Sequence, residues 1–326
     1  MRDQIVRYVL NNQVLSAILI VALAWLVIQI RDVLVALFIS YILMAAIEPY
    51  VVFLRKNRIP KPIAVIVPYI VAIAGLLLIV ITLLPFFIAQ ISLLFAIFPS
   101  YLNSDIRIFG AQINASQINS FAAREFENLG RGAIELTGRV FGGVISAISI
   151  FAISFYLLLY RETVLKSFVV LFSGKMREKV ENIALQAEDK LGSWLRGQLV
   201  LSGFIGILTW IILTVLGVDF ALPLAVLAGM LEIVPTIGPI IAAIPAVIVA
   251  LNTSPLLAGI VIVSYLFIQL LENNILVPRI MQRAVGLNPI VIILAIIIGG
   301  KLLGVAGALL AIPFISLLVV VYKNLE

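Results

Sequence analysis

Long apolar runs recur along this chain, and they constrain its fold more firmly than any single motif. A helix needs about 20 apolar residues to cross a bilayer core of ~30 Å. Runs that meet or approach that length lie at 14–30, 33–47, 63–84, 140–160, 199–216 and 255–271, with two longer, broken ones at 220–251 and 288–322. Hydrophobic residues make up 63% of the 326 and charged residues 12%, beyond the roughly one-half apolar content of soluble domains. The expected fold class is therefore an all-α polytopic membrane protein with about eight transmembrane segments, two of them broken or re-entrant hairpins.

What the sequence lacks narrows the chemistry. It contains no histidine, which removes Ser-His-Asp and Cys-His arrangements, HExxH zinc sites and histidine proton relays. It contains no cysteine, hence no disulfide or thiolate site, and no GxxxxGK[ST] nucleotide loop. No enzyme activity, metal or cofactor is expected. The formal charge of +6 sits at the ends of apolar runs, which is how membrane orientation is encoded, so no nucleic-acid partner follows from it.

Those basic residues set an expected topology. Between the second and third spans lies "RKNRIPK", with Arg55, Lys56, Arg58 and Lys61 and no acid, a cytoplasmic signature. Two spans earlier, Arg2 and Arg7 place the N-terminus on the same side, with the first apolar run read as a retained helix. The expected organisation is then an N-terminal region 1–99 whose long third helix projects outward, followed by an extracytoplasmic segment 100–139. A span 140–160, a cytoplasmic amphipathic segment 161–198 and a transport region 199–326 with both termini cytoplasmic complete it.

Two features of that layout reach beyond simple spanning. From Pro85 to Phe98 the third run stays apolar past the bilayer's thickness, so it requires cover from segment 100–139 or from a second copy, and a homo-oligomer is expected. In 161–198, Met176, Val180, Ile183, Ala187, Leu191 and Trp194 recur at helical spacing. Such a helix either lies on lipid headgroups or sits beneath the transport path as a plug or lever.

The broken segments hold the candidate site. In "LEIVPTIGPIIAAIP", Pro235, Gly238 and Pro239 interrupt any helix, and bare backbone at membrane depth is tolerated only inside protein or beside a wet cavity. The 288–322 run repeats the anatomy, with Gly299, Gly300, Gly304 and Gly307 around Lys301, and Ala311-Ile312-Pro313 echoing Ala243-Ile244-Pro245. Two hairpins approaching from opposite faces would form a carrier site near the midplane, although 220–251 can equally be one kinked crossing. Glu232 stands one turn before Pro235, where it either caps freed backbone or pairs with an arginine, or else binds and couples ions. Gln269, Glu272 and Asn273 share a face by i, i+3, i+4 spacing, as a solvated helix end or as polar lining of the same site. Glu48, ahead of Pro49, ends the second span as an interfacial acid.

Several of these stretches together resemble the autoinducer-2 exporter family of permeases: "EIVPTIGPIIAAIP", "SWLRGQL", "LENNILVPRIMQRAVGLNPIVIILAIIIGG" and "GVAGALLAIP", preceded by "YILMAAIEPYVVFLRKNRIPKPIAV". The likeness runs from Tyr41 to the C-terminus. Membership implies about eight membrane segments, cytoplasmic termini, a homo-oligomer in the prokaryotic cell membrane, and export of small molecules such as the quorum-sensing signal autoinducer-2. Some relatives are described instead as sodium–proton antiporters, which makes that activity the alternative the resemblance implies. By motif, Glu232, Pro235, Gly238 and Pro239 match the family core. Gln269, Glu272, Asn273, Pro278, Gly299, Gly300, Gly304, Gly307 and Pro313 match its C-terminal pattern. Trp194 and Arg196, with Gly197 and Gln198, match ahead of the fifth span and are candidates for a cytoplasmic gate. Lys61 and Glu48 depart from the pattern.

The expected function is a secondary transporter exporting a small polar metabolite by alternating access, with the lipid bilayer, that substrate and sodium or protons as partners. A sodium or lithium/proton antiporter, a passive channel and a membrane scaffold are the competing classes.

Overall fold

The computed structural model describes residues 13–102, 107–108, 111–112, 142–143, 145–234, 237–281 and 289–325. Apart from one short antiparallel ladder, Arg107–Ile108 (β1) against Ala111–Gln112 (β2), the described elements are helical, and the protein is an all-α polytopic membrane protein. Five described helices are long and apolar enough to cross a bilayer: Arg31–Lys56, Lys61–Ile81, Met176–Val215, Pro255–Ile280 and Ile290–Asn324. Ile145–Leu159 makes a sixth when taken with Arg161–Val169, from which it is bent by 75°. Shorter apolar helices, Ala221–Leu231 and Ile237–Thr253, accompany them.

The first three helices follow the apolar runs. Helix α1 (Gln13–Gln29) passes into α2 (Arg31–Lys56) through a single turn at Ile30, whose amide still bonds the Leu26 carbonyl. The basic "RKNRIPK" stretch forms a tight turn with Arg58 at φ 63, and α3 (Lys61–Leu102) follows. At ~1.5 Å per residue its 42 residues extend about 63 Å, twice the bilayer core, as the unbroken apolar run requires. Of the segment expected at 100–139, only the end of α3 and the two short strands fall among the described residues.

Helix α4 (Ile145–Leu159) turns sharply at Tyr160 into α5 (Arg161–Val169). Tyr69 of α3 and Ser154 of α4 join their hydroxyls in a hydrogen bond, and Phe151 and Phe155 pack edge-on against the same ring. After Gly174, α6 (Lys175–Val215) continues for 41 residues. The amphipathic segment and the fifth span, distinct in the sequence reading, are thus one helix, with no proline anywhere in 175–215. Its apolar stripe faces protein: Ala187, Leu191 and Trp194 are buried, Val180 and Ile183 are half-buried, and Met176 alone is exposed.

Both broken segments are helical hairpins. Leu231 at the end of α7 (Ala221–Leu231) and Gly238 at the start of α8 (Ile237–Thr253) come so close that a Cβ on Gly238 would stand 1.9 Å from the Leu231 carbonyl oxygen. Residues seven apart on a continuous helix would be roughly 10 Å apart, so the chain reverses here. Leu224 and Ala228 then share one core cluster with Ala242, Ala246, Val249 and Ala250. The alternative of one kinked crossing through 220–251 does not fit this packing.

The last element, α11 (Pro289–Leu325), is helical at both ends but divided at Gly304, where φ 62 and ψ −142 leave the helical region. Its limbs fold back until a Cβ on Gly299 would lie 2.3 Å from the Gly307 carbonyl oxygen. Ala295, Ile296 and Ala311 close the next layer, with Ile292 and Ile315 beyond. Only glycine permits that backbone-to-backbone approach.

Between the hairpins run α9 (Pro255–Leu271), one π-helical turn (Glu272–Leu276) and α10 (Val277–Met281). Ser254 caps α9 by accepting from the Leu257 amide, with Pro255 in the first turn. Helix α6 is the hub: α2, α7 and α11 all pack on it. Among the described residues the hairpins touch each other at most marginally; each is held on α6 rather than tip to tip.

Candidate functional site

Glu232 lies where α7 ends and the first hairpin unwinds, and its side chain has no accessible surface. Position and burial have one local cause. The chain leaves the helix after Leu231 to reverse toward Gly238, and α6 packs along α7 beside the break. Gln198 of α6 reaches across and donates from Nε2 to the Glu232 main-chain oxygen at 2.7 Å, at the point where the helix ends. Among the described groups no amide, hydroxyl or cation donates to the carboxylate oxygens of Glu232, whose hydrogen-bonding neighbour is the carboxyl of Glu272.

Glu272 is equally enclosed, with 1% of its surface exposed. It opens the π-helical turn, an insertion that re-aims side chains and frequently marks functional positions. Gln269 Nε2 donates to Glu272 Oε2 at 3.1 Å. The carboxyl groups of Glu232 and Glu272 lie close enough to interact. Two carboxylates thus share a buried space with one amide donor and, among the described residues, no lysine or arginine ion-paired to either.

Asn273 does not join them. The buried stripe of α9 and its continuation is Ala258, Val261, Tyr265, Ile268, Glu272 and Leu276, all at three- or four-residue steps. Asn273 is one residue off that stripe, about 100° round the helix, and is exposed. The spacing that joined it to Gln269 and Glu272 in the sequence places it on the rim.

The geometry residues behave differently from one another. Gly238 and Pro239 are buried at the start of α8, and Pro235 lies outside the described residues. Gly299 and Gly307 form the crossing of the second hairpin and Gly304 its turn, whereas Gly300 has room, its nearest prospective contact being Ala308 at 3.8 Å. Pro313 lies inside the return limb, buried beside Ile312. Trp194 is 4% exposed, with Nε1 unpartnered, in a cluster with Ile42, Leu276 and Ile312. Arg196 turns toward α2, donating to the carbonyls of Ala45 (3.1 Å) and Ala46 (3.4 Å) and to Ser193 Oγ (3.0 Å).

Sequence reasoning missed an ionic knot beside Arg196. Arg161, at the α4–α5 bend, donates to Glu188 of α6 at 2.8 Å, and Glu48 of α2 lies 3.9 Å away. Three helices meet there around a cavity of about 100 Å³ that Arg196 and Asp189 also line. The resemblance singled out Gln198 without a role. A lone buried amide on a helix that enters an apolar run was the signal available.

Multiple apolar spans, two helical hairpins on a central helix and a buried carboxylate pair beside a helix break define a multi-pass membrane transport protein. The AI-2E family transporter profile matches residues 15–326, and the chain belongs to that family. YrrI of Bacillus subtilis (strain 168) is 26% identical over 320 residues, covering 90% of this chain and 86% of its own. YueF of the same organism is 27% identical over 293 residues, covering 84% and 79%. The AI-2 transport protein TqsA of Escherichia coli (strain K12) is 37% identical over 145 residues, covering 44% of this chain and 42% of its own. The protein is therefore a membrane transporter.

Proposed function

We propose that this transporter is a secondary carrier that exports a small polar metabolite by alternating access, coupled to protons or sodium at the Glu232–Glu272 pair. The observation that carries the reading is Glu232 itself: fully enclosed, with no amide, hydroxyl or cation donating to it among the described residues, and facing a second buried carboxyl. Burying an ionised carboxylate without donors or a counter-charge is strongly unfavourable. A proton or a small cation neutralises it, and its arrival and departure give the protein two states of different energy. Enclosure on every side corresponds to an occluded carrier.

The similarity to the AI-2 transport protein TqsA supports autoinducer-2 as a cargo. Proton exchange against sodium or lithium is the second reading, and the paired carboxylates favour it, since such a site can bind cation and proton alternately. In both, the hairpins are re-entrant, Gly238 and Pro239 with Gly299, Gly304, Gly307 and Pro313 set the broken backbone, and Trp194 and Arg196 guard the cytoplasmic approach. The basic 55–61 turn supports cytoplasmic termini in a prokaryotic inner membrane. The exposed apolar flank of α1, with Val14, Ile18, Val21 and Trp25, supports assembly with further copies.

Purified protein in liposomes tests both readings in parallel, through autoinducer-2 efflux and through sodium-driven proton movement. Either activity, lost in Glu232→Gln, is the expected result. Absence of both from folded protein would leave a scaffold.

A further inference from the structure

Hydroxyl side chains in the membrane helices of this protein normally bond their own backbone. Ser40 donates to the Ala36 carbonyl at 2.7 Å, and Ser264 donates to Ile260 at 2.8 Å, each four residues back. Ser202 and Thr209 of α6 depart from this habit: each is held in the interior with no hydrogen-bond partner among the described residues. Trp194 Nε1 on the same helix, Tyr265 Oη on α9 and Ser316 Oγ on α11 are orphaned in the same way. Buried polar groups in native proteins are satisfied by protein or by ordered water, so a cluster of exceptions calls for an occupant.

The exceptions are aligned. Trp194, Gln198, Ser202 and Thr209 lie on α6 at steps of four, four and seven residues, within about a quarter-turn of one face, over roughly 22 Å. The opposite face carries Leu199, Phe204, Ile207 and Ile211, all exposed as expected of a lipid-facing surface. Gln198 fixes the level of the Glu232–Glu272 pair. Beyond it, Gly206 lies against Ala225 and Gly229, so α7 runs alongside the face that bears Ser202 and Thr209. Tyr265, two turns before Glu272, belongs to the apolar cluster of Leu213, Leu224 and Ala228 on that side. On the other side Trp194 packs with Ile312, one turn before Ser316.

We propose that this face of α6 lines the two hydrated limbs of a proton path, in which Thr209, Tyr265 and Ser202 hold water leading to the Glu232–Glu272 pair from one side and Trp194 with Ser316 hold it on the other, while the enclosed pair keeps the limbs apart. The inference rests on the reading of that pair as the coupling site. Each hydroxyl accepts one hydrogen bond while donating another, so a proton arriving on one side releases a different one on the other, with no net change to the side chain. The Trp194 indole only donates, and therefore anchors water without relaying. Thr209 and Tyr265 are positioning residues for water and touch no substrate.

Hydroxyl-radical footprinting of the purified full-length protein, which marks side chains beside bound water, tests the path without any transport assay. Tyr69 and Tyr265 form an internal comparison: both are buried, at 4% and 7% exposure, but the Tyr69 hydroxyl is bonded to Ser154 while that of Tyr265 is free. Tyr265 should be modified at least about fivefold faster than Tyr69, as a buried water contact implies. Thr209→Val should lower the Tyr265 rate at least about twofold, and Thr209→Ser should restore it, because only the hydroxyl holds the water. An unchanged Tyr69 rate certifies that each variant is folded. Equal rates at the two tyrosines in the wild type would overturn the path, as would a Tyr265 rate indifferent to Thr209→Val. Wet labelling in a protein that moves neither autoinducer-2 nor cations would support the path while removing the coupling reading, whereas dry labelling in an active exchanger would overturn the path alone.

Discussion

The side chain of Gln198 holds the main-chain oxygen of Glu232 at 2.7 Å, tying the middle of the central helix α6 to the point where the first hairpin unwinds. That bond turns a helix break into a defined position, because the freed carbonyl has a fixed partner and the adjacent carboxylate is aimed inward. Everything proposed about coupling passes through this junction.

Gln198→Leu removes the donor and keeps the bulk. A buried carbonyl left unsatisfied costs about 1–3 kcal/mol, so the thermal midpoint should fall while the helical content holds. Flux in liposomes should fall by more than the loss of folded protein explains, since Glu232 loses its orientation. Melting and transport measured on one preparation check both.

The crossing of the second hairpin is equally specific. In Gly299→Ala or Gly307→Ala the new methyl meets backbone carbonyl at 2.3 and 2.0 Å, which neither limb can relieve by a rotamer change. Overpacking of this kind costs typically 1–3 kcal/mol. Gly300→Ala, next in sequence, meets only the Ala308 methyl at 3.8 Å and should be nearly neutral. Thermal midpoints of the three variants should separate accordingly.

Arg161→Leu leaves Glu188, which is 11% exposed at its side chain, without its cation, and Glu48 without a neighbour at 3.9 Å. The expected loss, about 1–3 kcal/mol, lies between that of exposed pairs and that of fully buried ones. Arg161→Lys should recover part of it, as a point charge replaces a two-pronged donor. Denaturation midpoints report this, and high salt should narrow the gap between wild type and variant.

Much of this architecture could be read in advance, for identifiable reasons. Apolar runs of bilayer length leave helix as the only way to satisfy their backbone, so the unbroken runs became single helices and the broken ones helix pairs. The break in "KLLGVAG" fell at Gly304, the single position in α11 with positive φ. "PTIGP" likewise marked the reversal between Leu231 and Gly238. Periodicity gave the stripe of α6 from Ala187 to Trp194 but not its continuity into the next span, because an amphipathic segment followed by an all-apolar one looks like two elements. Asn273 shares a face with Gln269 by its four-residue spacing, but lies one residue past the buried stripe at Glu272 and is exposed. The Glu48–Arg161–Glu188 knot was invisible for another reason: its members are 27 to 140 residues apart, and only the 75° bend at Tyr160 and the crossing of α2 with α6 bring them together.

Glu272→Gln separates the roles of the two acids. The neutral amide still fits beside Gln269 but removes one carboxylate from the pair. A coupled site should then bind its cation more weakly, raising the sodium or lithium concentration needed for half-maximal exchange, whereas a purely structural acid would change only the melting temperature.

The most direct measurement of the central claim is flux as a function of pH for wild type and Glu232→Gln in matched liposomes. The wild type should show a pH-dependent rate, and the variant should lose that dependence along with its coupling to the ion gradient. A variant that transports at the wild-type rate, with the wild-type pH profile, would contradict the assignment of Glu232 to coupling.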